Sequence, residues 1–209
     1  QIILFGNDQG TAEVAKEYGL EHVPEVENTK FGTPRIDTMF NKAEEMAQNH
    51  FISNVNADII LMDDYMKALE QISAKTDWFM MSGLRSNINL IEPLKFDEPN
   101  WEKQLRDEVR LNGSLHFRTG VDYFVYPAGL LTEIPPFGVG RTFYDAWLLY
   151  RARNRGASLI DVTEVVMAVH QNHDYSHHVD GQAGIFSGPE YEHNRDLAGG
   201  RSHILIIKD

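Results

Sequence analysis

The sequence predicts an α/β fold, a sheet with helices packed on its faces. The first observation is that strand-sized apolar runs alternate with segments of helical periodicity through the first sixty residues. The second is that 209 residues with 42% hydrophobic side chains have the composition and size of one globular core. We therefore expect residues 1–209 to form a single domain.

The first half of the chain alternates strands and helices in a regular order. Its apolar runs predict strands at residues 2–5, 22–26 and 51–55. Helical spacing predicts one helix that is capped by Thr11 and ends at Gly19, and another over residues 36–47. This alternation is typical of a parallel sheet, in which a ligand lies beyond the carboxyl ends of the strands. The segments expected to meet that ligand are residues 6–8, 28–34 and 56–58.

The second half is less regular. Helices are expected at residues 63–72, at residues 101–109 after Pro99, and from Thr142 onward. Strands are expected at residues 78–81, 123–126, 159–162 and 165–169. The remaining stretch, residues 171–200, is rich in His, Gly and Asp and is predicted to be a long loop, which in a compact domain is usually functional.

Composition narrows the class of protein. The net charge of −12 repels phosphate backbones, so we expect no nucleic-acid partner. The chain contains no cysteine, which excludes disulfides and Cys-ligated zinc and fits a cytoplasmic location. No run approaches the ~18 apolar residues of a membrane span.

One strand end carries side chains suited to a metal ion. Asn56 and Asp58 follow the strand at residues 51–55 directly. A carboxylate at that position can hold a hard divalent cation that also bridges a diphosphate. Asn and Asp also favour turns, so a plain turn explains the same residues.

In this ordered set of segments the chain resembles glycosyltransferases of the A-type fold, most closely the broad family 2. The resemblance implies a mixed, Rossmann-like sheet, a nucleotide-sugar half over about residues 1–110 and an acceptor half over about 111–209. It implies Mn²⁺ or Mg²⁺ on Asp58, where the family has Asp-x-Asp and this chain has Asn56-Ala57-Asp58. Asn56 would then contact the ribose or make a water-bridged contact. The implied substrates are a UDP-sugar and an unidentified acceptor hydroxyl.

The resemblance also implies roles for loop residues. The turn of Gly6, Asn7 and Asp8 would hold the nucleobase. The loop that contains Asn28, Gly32 and Thr33 would border the base and ribose.

Four charged residues in the rest of the chain have two interpretations each. Asp145 is either a helix cap paired with Thr142 or the ionised base that deprotonates the acceptor. Asp122 either accepts hydrogen bonds from sugar hydroxyls or ends a turn. Arg85 and Arg141 either face the phosphate or sugar, or are surface cations.

Four histidines fall within nine residues, at positions 170, 173, 177 and 178. Imidazole is a common metal ligand, but no His-Glu-x-x-His motif accompanies the cluster. His170 ends an apolar strand and is assigned to the metal, as a late His is in many A-type enzymes. His173 lies in the following loop, and His177 and His178 are expected to be solvated.

The chain departs from the family at its beginning. The sequence starts with Gln1 and not Met, at what resembles the second strand of the family, so we expect either a missing beginning or a trimmed version of the fold. We expect residues 204–207, an apolar run, to form a strand that fills part of that gap.

Three functions stay open on sequence alone. The first is a metal-dependent, inverting glycosyltransferase. The second is a sugar-1-phosphate nucleotidyltransferase, for which a Gly-rich, Arg-containing loop is needed and is not visible. The third is a degenerate domain that binds a sugar nucleotide without transferring it, which the Asn at position 56 favours.

Overall fold

The structure is a computed structural model, and it describes residues 1–173 and 186–207. In the described part the strands are β1 (Ile3–Phe5), β2 (Glu21–Val23), β3 (Phe51–Val55), β4 (Ile59–Ile60), β5 (Phe79–Ser82), β6 (Arg85–Ile88), β7 (Ser114–Leu115), β8 (Tyr123–Pro127), β9 (Ser158–Asp161) and β10 (Ala168–Gln171). The helices are α1 (Thr11–Tyr18), α2 (Ile36–Met46), α3 (Asp63–Ser73), α4 (Trp101–Asn112), α5 (Tyr144–Asn154) and α6 (Pro189–Leu197). None of the helices in this part of the chain is long and apolar enough to cross a membrane.

The architecture is mixed α/β, as predicted, and the described strands form three sheets. The central sheet has the order β3-β8-β5-β9, in which only β8 runs antiparallel to its neighbours. A second sheet has the order β4-β10-β6-β7, and β1 pairs with β2 in a parallel ribbon.

Helices cover both faces of the central sheet because its strands alternate their side chains. On one face, Met80 and Tyr126 pack in the largest apolar cluster with residues of α2 and α5. On the other face, Phe79 and Val125 pack in a second cluster with residues of α3. All five residues of β8 are buried, as expected for a strand with both faces covered.

The expected sheet arrangement is wrong in one respect. The first three strands do not share one parallel sheet, since β3 pairs antiparallel with β8 while β1 pairs only with β2 among the described strands. Periodicity identifies strands but not their partners. The partner of β3 is β8, a strand of five buried residues that begins 68 residues after β3 ends.

Two expectations about the end of the chain are also wrong. Residues 171–200 are not all loop, because β10 extends to Gln171 and residues 189–197 form α6. Pro189 at the first helical turn and the acidic Glu190 and Glu192 are the start signals that identify α6. Residues 204–207 belong to no strand. Instead the Leu205 N–H donates to the Ala146 carbonyl, 2.9 Å away, and the apolar side chains pack on the main cluster.

Candidate functional site

The site is built where β3 ends and β8 begins. The antiparallel register of these strands pairs Val55 with Tyr123, which places Asn56 opposite Asp122. The Asn56 backbone N–H donates to the Asp122 carbonyl at 3.0 Å, and Asn56 Nδ2 donates to Asp122 Oδ1 at 2.8 Å. The amide at position 56 is therefore a fixed support for the Asp122 carboxylate.

Arg85 supplies a cation beside that carboxylate. It opens β6, and its Nη1 lies 2.8 Å from Asp122 Oδ2, with only 14% and 13% of the two side chains exposed. Burial raises the pKa of the Asp122 carboxyl, the Arg85 charge opposes the rise, and the Asp58 charge adds to it. Residues 56, 85 and 122 thus form one connected, half-buried polar group.

Asp58 and two histidines converge next to it. His170 pairs with Ile59 across β10 and β4, so the residue before Ile59 lies beside the imidazole. Asp58 Oδ2 lies 3.3 Å from His170 Nε2 and 3.1 Å from His173 Nε2. Burial by itself would raise the pKa of the Asp58 carboxyl, but the hydrogen bonds and charges of His170, His173 and Arg85 lower it below its ordinary value. Asp58 is therefore an ionised acceptor near neutral pH.

These three side chains fit a divalent metal ion. One ligand atom from each lies within 4.8 Å of the other two. In the part of the chain that the structure describes, Asp58 Oδ1 and His170 Nδ1 are buried without a hydrogen-bond partner, a costly state that an ion, a water or a ligand relieves. A carboxylate with two imidazoles suits Mn²⁺ or another transition-metal ion better than Mg²⁺, which prefers oxygen ligands.

Asp145 is the second residue of α5, so the expected cap geometry is wrong. The helix begins at Tyr144, and its N-cap, Phe143, makes no side-chain cap hydrogen bond. Thr142 Oγ1 is buried and has no hydrogen-bond partner among the described residues. Asp145 Oδ1 accepts from the Ala146 N–H at 2.8 Å instead. A second expected cap is also displaced, since Gly10 precedes α1 and Thr11 is its first residue.

The environment of Asp145 changes its acidity. Burial raises the pKa of its carboxyl to about 7, and the neighbouring Asp122 charge adds to the rise, while the Ala146 N–H opposes it. Because Asp122 and Arg85 act on this carboxyl, Asp145 belongs to the same site as residues 56–58. Tyr144 also reaches this group, beside the Asn56 side chain.

Sequence reasoning missed one polar residue at the site and left another unassigned. Asn87 pairs in register with His170 on β10 and with Ser114 on β7, and it shares a strand face with Arg85, two residues away. Its Oδ1 is buried and, within residues 1–173 and 186–207, accepts no hydrogen bond; the same region leaves Arg85 Nε without an acceptor. The pairing of β6 with β10 is what identifies Asn87 as a site residue, and hydrophobic periodicity in the sequence does not reveal that pairing.

His173 is the third member of the candidate metal cluster.

Other predicted residues lie on loops around this centre. The turn of Gly6, Asn7 and Asp8 hydrogen-bonds along β2, where Val23 accepts from the Gly6 N–H and His22 contacts the Gly6 carbonyl. Its expected contact with a nucleobase stays a prediction.

The loop that contains Asn28, Gly32 and Thr33 closes as a hairpin. Asn28 bridges to Pro34, the Gly32 N–H donates to Thr29, and Thr33 donates its hydroxyl to Glu190 of α6. Its role beside a ribose likewise stays a prediction.

The remaining predicted residues are Arg141 and the histidines at positions 177 and 178. Arg141 pairs with Glu190, whose Oε2 lies 2.5 Å from the guanidinium, so its charge is directed at α6. His177 and His178 lie outside the described residues.

Comparisons with known proteins add the following. No family model matches the chain, and no curated protein matches it. Among solved structures it is similar to a Bacillus anthracis protein assigned as a glucose-1-phosphate thymidylyltransferase, solved in complex with sucrose. The identity is 12% and the TM-score 0.43, over 77% of this chain and 67% of the other. A likeness at this level carries no conclusion about function.

Proposed function

We propose that this protein is a metal-dependent glycosyltransferase that moves a sugar from a nucleotide-diphosphate donor to an acceptor hydroxyl. The proposed donor is a UDP-sugar, and the reaction inverts the anomeric carbon. The observation that carries the proposal is that candidate residues from distant parts of the chain lie together in the structure. Six candidate residues from a span of 115 positions lie close together in the structure. They are Asn56, Asp58, Arg85, Asp122, Asp145 and His170.

A metal centre in this protein would be held by Asp58, His170 and His173. Bound there, a divalent ion supplies positive charge that stabilises the departing diphosphate. The chain itself has a net charge of −12, so a cation at this point also offsets repulsion between the donor and the surrounding carboxylates.

Asp145 fits the role of general base. In the proposed reaction the acceptor O–H gives its proton to the Asp145 carboxylate while the oxygen bonds to the anomeric carbon. The bond from that carbon to the donor phosphate oxygen breaks, and its electron pair leaves with the diphosphate. A base is most effective when its pKa lies near the working pH, which the value of about 7 satisfies.

Arg85 and Asp122 are proposed to orient the donor sugar. Arg85 Nε and Asn87 Oδ1 offer one donor and one acceptor without partners in the described structure, a pair that matches sugar hydroxyls. Asn56 keeps Asp122 in place through the 2.8 Å bond already described. Asn56 stands where the A-type glycosyltransferases have their first Asp. In this proposal it supports the Asp122 carboxylate and does not bind the metal.

The direct test is calorimetric titration of the protein with UDP, with and without Mn²⁺. We expect Mn²⁺ to increase the affinity for UDP. In the presence of Mn²⁺, Asp58→Ala and His170→Ala should each weaken UDP binding about tenfold or more, as loss of metal-site groups typically does. Asp107→Ala, an exposed aspartate on α4, serves as the matched control. Equal UDP affinity in wild type and Asp58→Ala would contradict the metal assignment.

A product assay separates the alternatives. If the protein transfers sugar, it releases UDP from a UDP-sugar. The rate of this release should be higher when an acceptor is present and lower in Asp145→Asn. Pyrophosphate formed from a nucleoside triphosphate and a sugar 1-phosphate would instead identify a nucleotidyltransferase. Binding of UDP with neither product would identify a domain that only binds the nucleotide.

A further inference from the structure

Helix α6 is packed against the backbone that leads into α5. The side chain of Asn194 is fully buried and makes three hydrogen bonds to main-chain atoms of residues 138–143, here called the lead-in segment. Its Oδ1 accepts from the Gly138 N–H at 2.9 Å, and its Nδ2 donates to the carbonyls of Gly138 at 3.0 Å and Thr142 at 3.3 Å. Since all three partners are backbone groups, this amide fixes the path of the chain.

A carboxylate of the same helix joins that segment to the hairpin loop of residues 28–34. Glu190 Oε2 pairs with the Arg141 guanidinium at 2.5 Å, and its Oε1 accepts from the Thr33 hydroxyl. The two charged side chains are 16% and 10% exposed, which limits screening by water. A ring contact between His193 and Phe31, with centroids 5.7 Å apart, adds to the same junction.

The lead-in segment ends at a backbone conformation that L-residues rarely adopt. Phe143 has φ 85° and ψ −32°, although it is not glycine. Such a conformation persists only where surrounding contacts impose it, and it is concentrated at functional sites. The Phe143 ring packs against Tyr191 of α6, with centroids 5.2 Å apart. Asp145 follows two residues later.

We propose that α6 is a positioning element that holds Phe143 in this conformation and thereby directs the Asp145 carboxyl toward the acceptor. Tyr191 and Asn194 act through the backbone and are positioning residues, not catalytic ones. This inference rests on the proposed function, because the direction of Asp145 matters for catalysis only if that carboxyl is the base. Its structural part, the dependence of the Asp145 environment on α6, is measurable without any activity.

The test compares Tyr191→Leu, which keeps an apolar side chain but removes the ring contact, with Glu192→Gln. Glu192 lies on the same helix and pairs with Arg195, so its substitution is the matched control. Carbon-13 NMR titration of the Asp145 carboxyl is the first readout. We expect its pKa to fall from about 7 toward the ordinary aspartate range in Tyr191→Leu and to stay unchanged in Glu192→Gln.

Kinetics supply the second readout. We expect kcat of Tyr191→Leu to fall about tenfold or more, because small displacements of a catalytic group have effects of this size, while the Kd for UDP changes less than twofold. A thermal melt of each variant verifies that it is folded, and Glu190→Gln provides a second variant if Tyr191→Leu is not. A folded variant with wild-type Asp145 pKa and kcat would overturn the inference. An inactive wild type with the NMR shift present would overturn only the proposed function.

Discussion

Asp145 illustrates how burial turns an ordinary side chain into a candidate catalyst. An exposed aspartate is ionised throughout the neutral range and is too weak a base to take a proton from a hydroxyl efficiently. At the start of α5, loss of water raises the pKa to about 7, so the ionised carboxylate is a stronger base. The helix N-terminus and the Ala146 N–H keep the ionised form accessible.

The rate of transfer should therefore rise with pH, with its midpoint near 7. Below that pH the Asp145 carboxyl is protonated and has no capacity to accept the acceptor's proton. Asp145→Asn should reduce kcat by about a hundredfold or more, the usual contribution of a general base. The measurement is kcat at saturating donor between pH 5 and 9, and a kcat that stays constant over this range would contradict the assignment.

The same carboxyl gives a stability signature that needs no substrate. Since the folded-state pKa is raised from 3.8 to about 7, the folded state binds more protons than the unfolded state between those values. This group's contribution to stability is fully present below the unfolded pKa and is lost as pH rises through 7. Urea unfolding of wild type and Asp145→Asn across that range is expected to show a larger loss in wild type, because the raised pKa of the Asp122 carboxyl acts in both proteins.

Asn87 should contribute to donor binding. Its buried Oδ1 accepts no hydrogen bond in the described structure and lies in register with His170. One hydrogen bond to a neutral partner contributes about 1 kcal/mol, so Asn87→Ala is expected to weaken UDP-sugar binding about fivefold. Asn89→Ala, on an exposed position two residues later, is the control. Equal losses in both variants would remove Asn87 from the site.

At the scale of elements, β10 assembles the site. It pairs antiparallel with β4 on one side and parallel with β6 on the other. Through these two pairings a single strand aligns its own His170 with Asp58 beside β4 and with Asn87 on β6, while Ala168 pairs with Arg85. The turn from β5 to β6 must then be tight, because Arg85 follows Ser82 by only three residues.

Gly83 in that turn has no space for a side chain. An added Cβ would lie 2.5 Å from the Tyr123 hydroxyl and 2.9 Å from the Thr163 backbone nitrogen. Gly83→Ala should lower the free energy of unfolding by about 1–3 kcal/mol through overpacking and also weaken UDP binding by displacing Arg85. Gly19→Ala, at a helix end with φ 64°, should cost stability without affecting binding. Unchanged UDP affinity in Gly83→Ala would separate the turn from the site.

At the scale of the whole molecule, one apolar cluster connects the central sheet to the helix that carries Asp145. It includes Phe124 and Tyr126 of β8 together with Leu148 and Ala152 of α5. The residues of the C-terminal segment, such as Leu205, pack on the same cluster. The position of the candidate base is thus set by the main core of the protein.

Leu148→Ala should destabilise the protein by about 2–5 kcal/mol, because the side chain is fully buried and its removal leaves a cavity. Leu111→Ala, the same substitution on α4 at a residue that is 78% exposed, should change stability by less than about 0.5 kcal/mol. Urea unfolding of the two variants measures the difference. Similar values would contradict the assigned core.

The sequence by itself determined most helices and strands, because hydrophobic periodicity is a local property that each segment carries regardless of its partners. It also proposed Asp58, Asp122, Asp145 and His170 as candidate site residues, from their residue types and from the resemblance to the A-type glycosyltransferases, and their roles stay predictions. Only the tertiary structure decided that β3 pairs with β8, that Asn87 lies beside His170, and that residues 189–197 pack against the segment before α5. Strand pairing and burial depend on contacts between residues that are distant in the chain, and the pKa of Asp145 follows from that burial and not from its sequence neighbours.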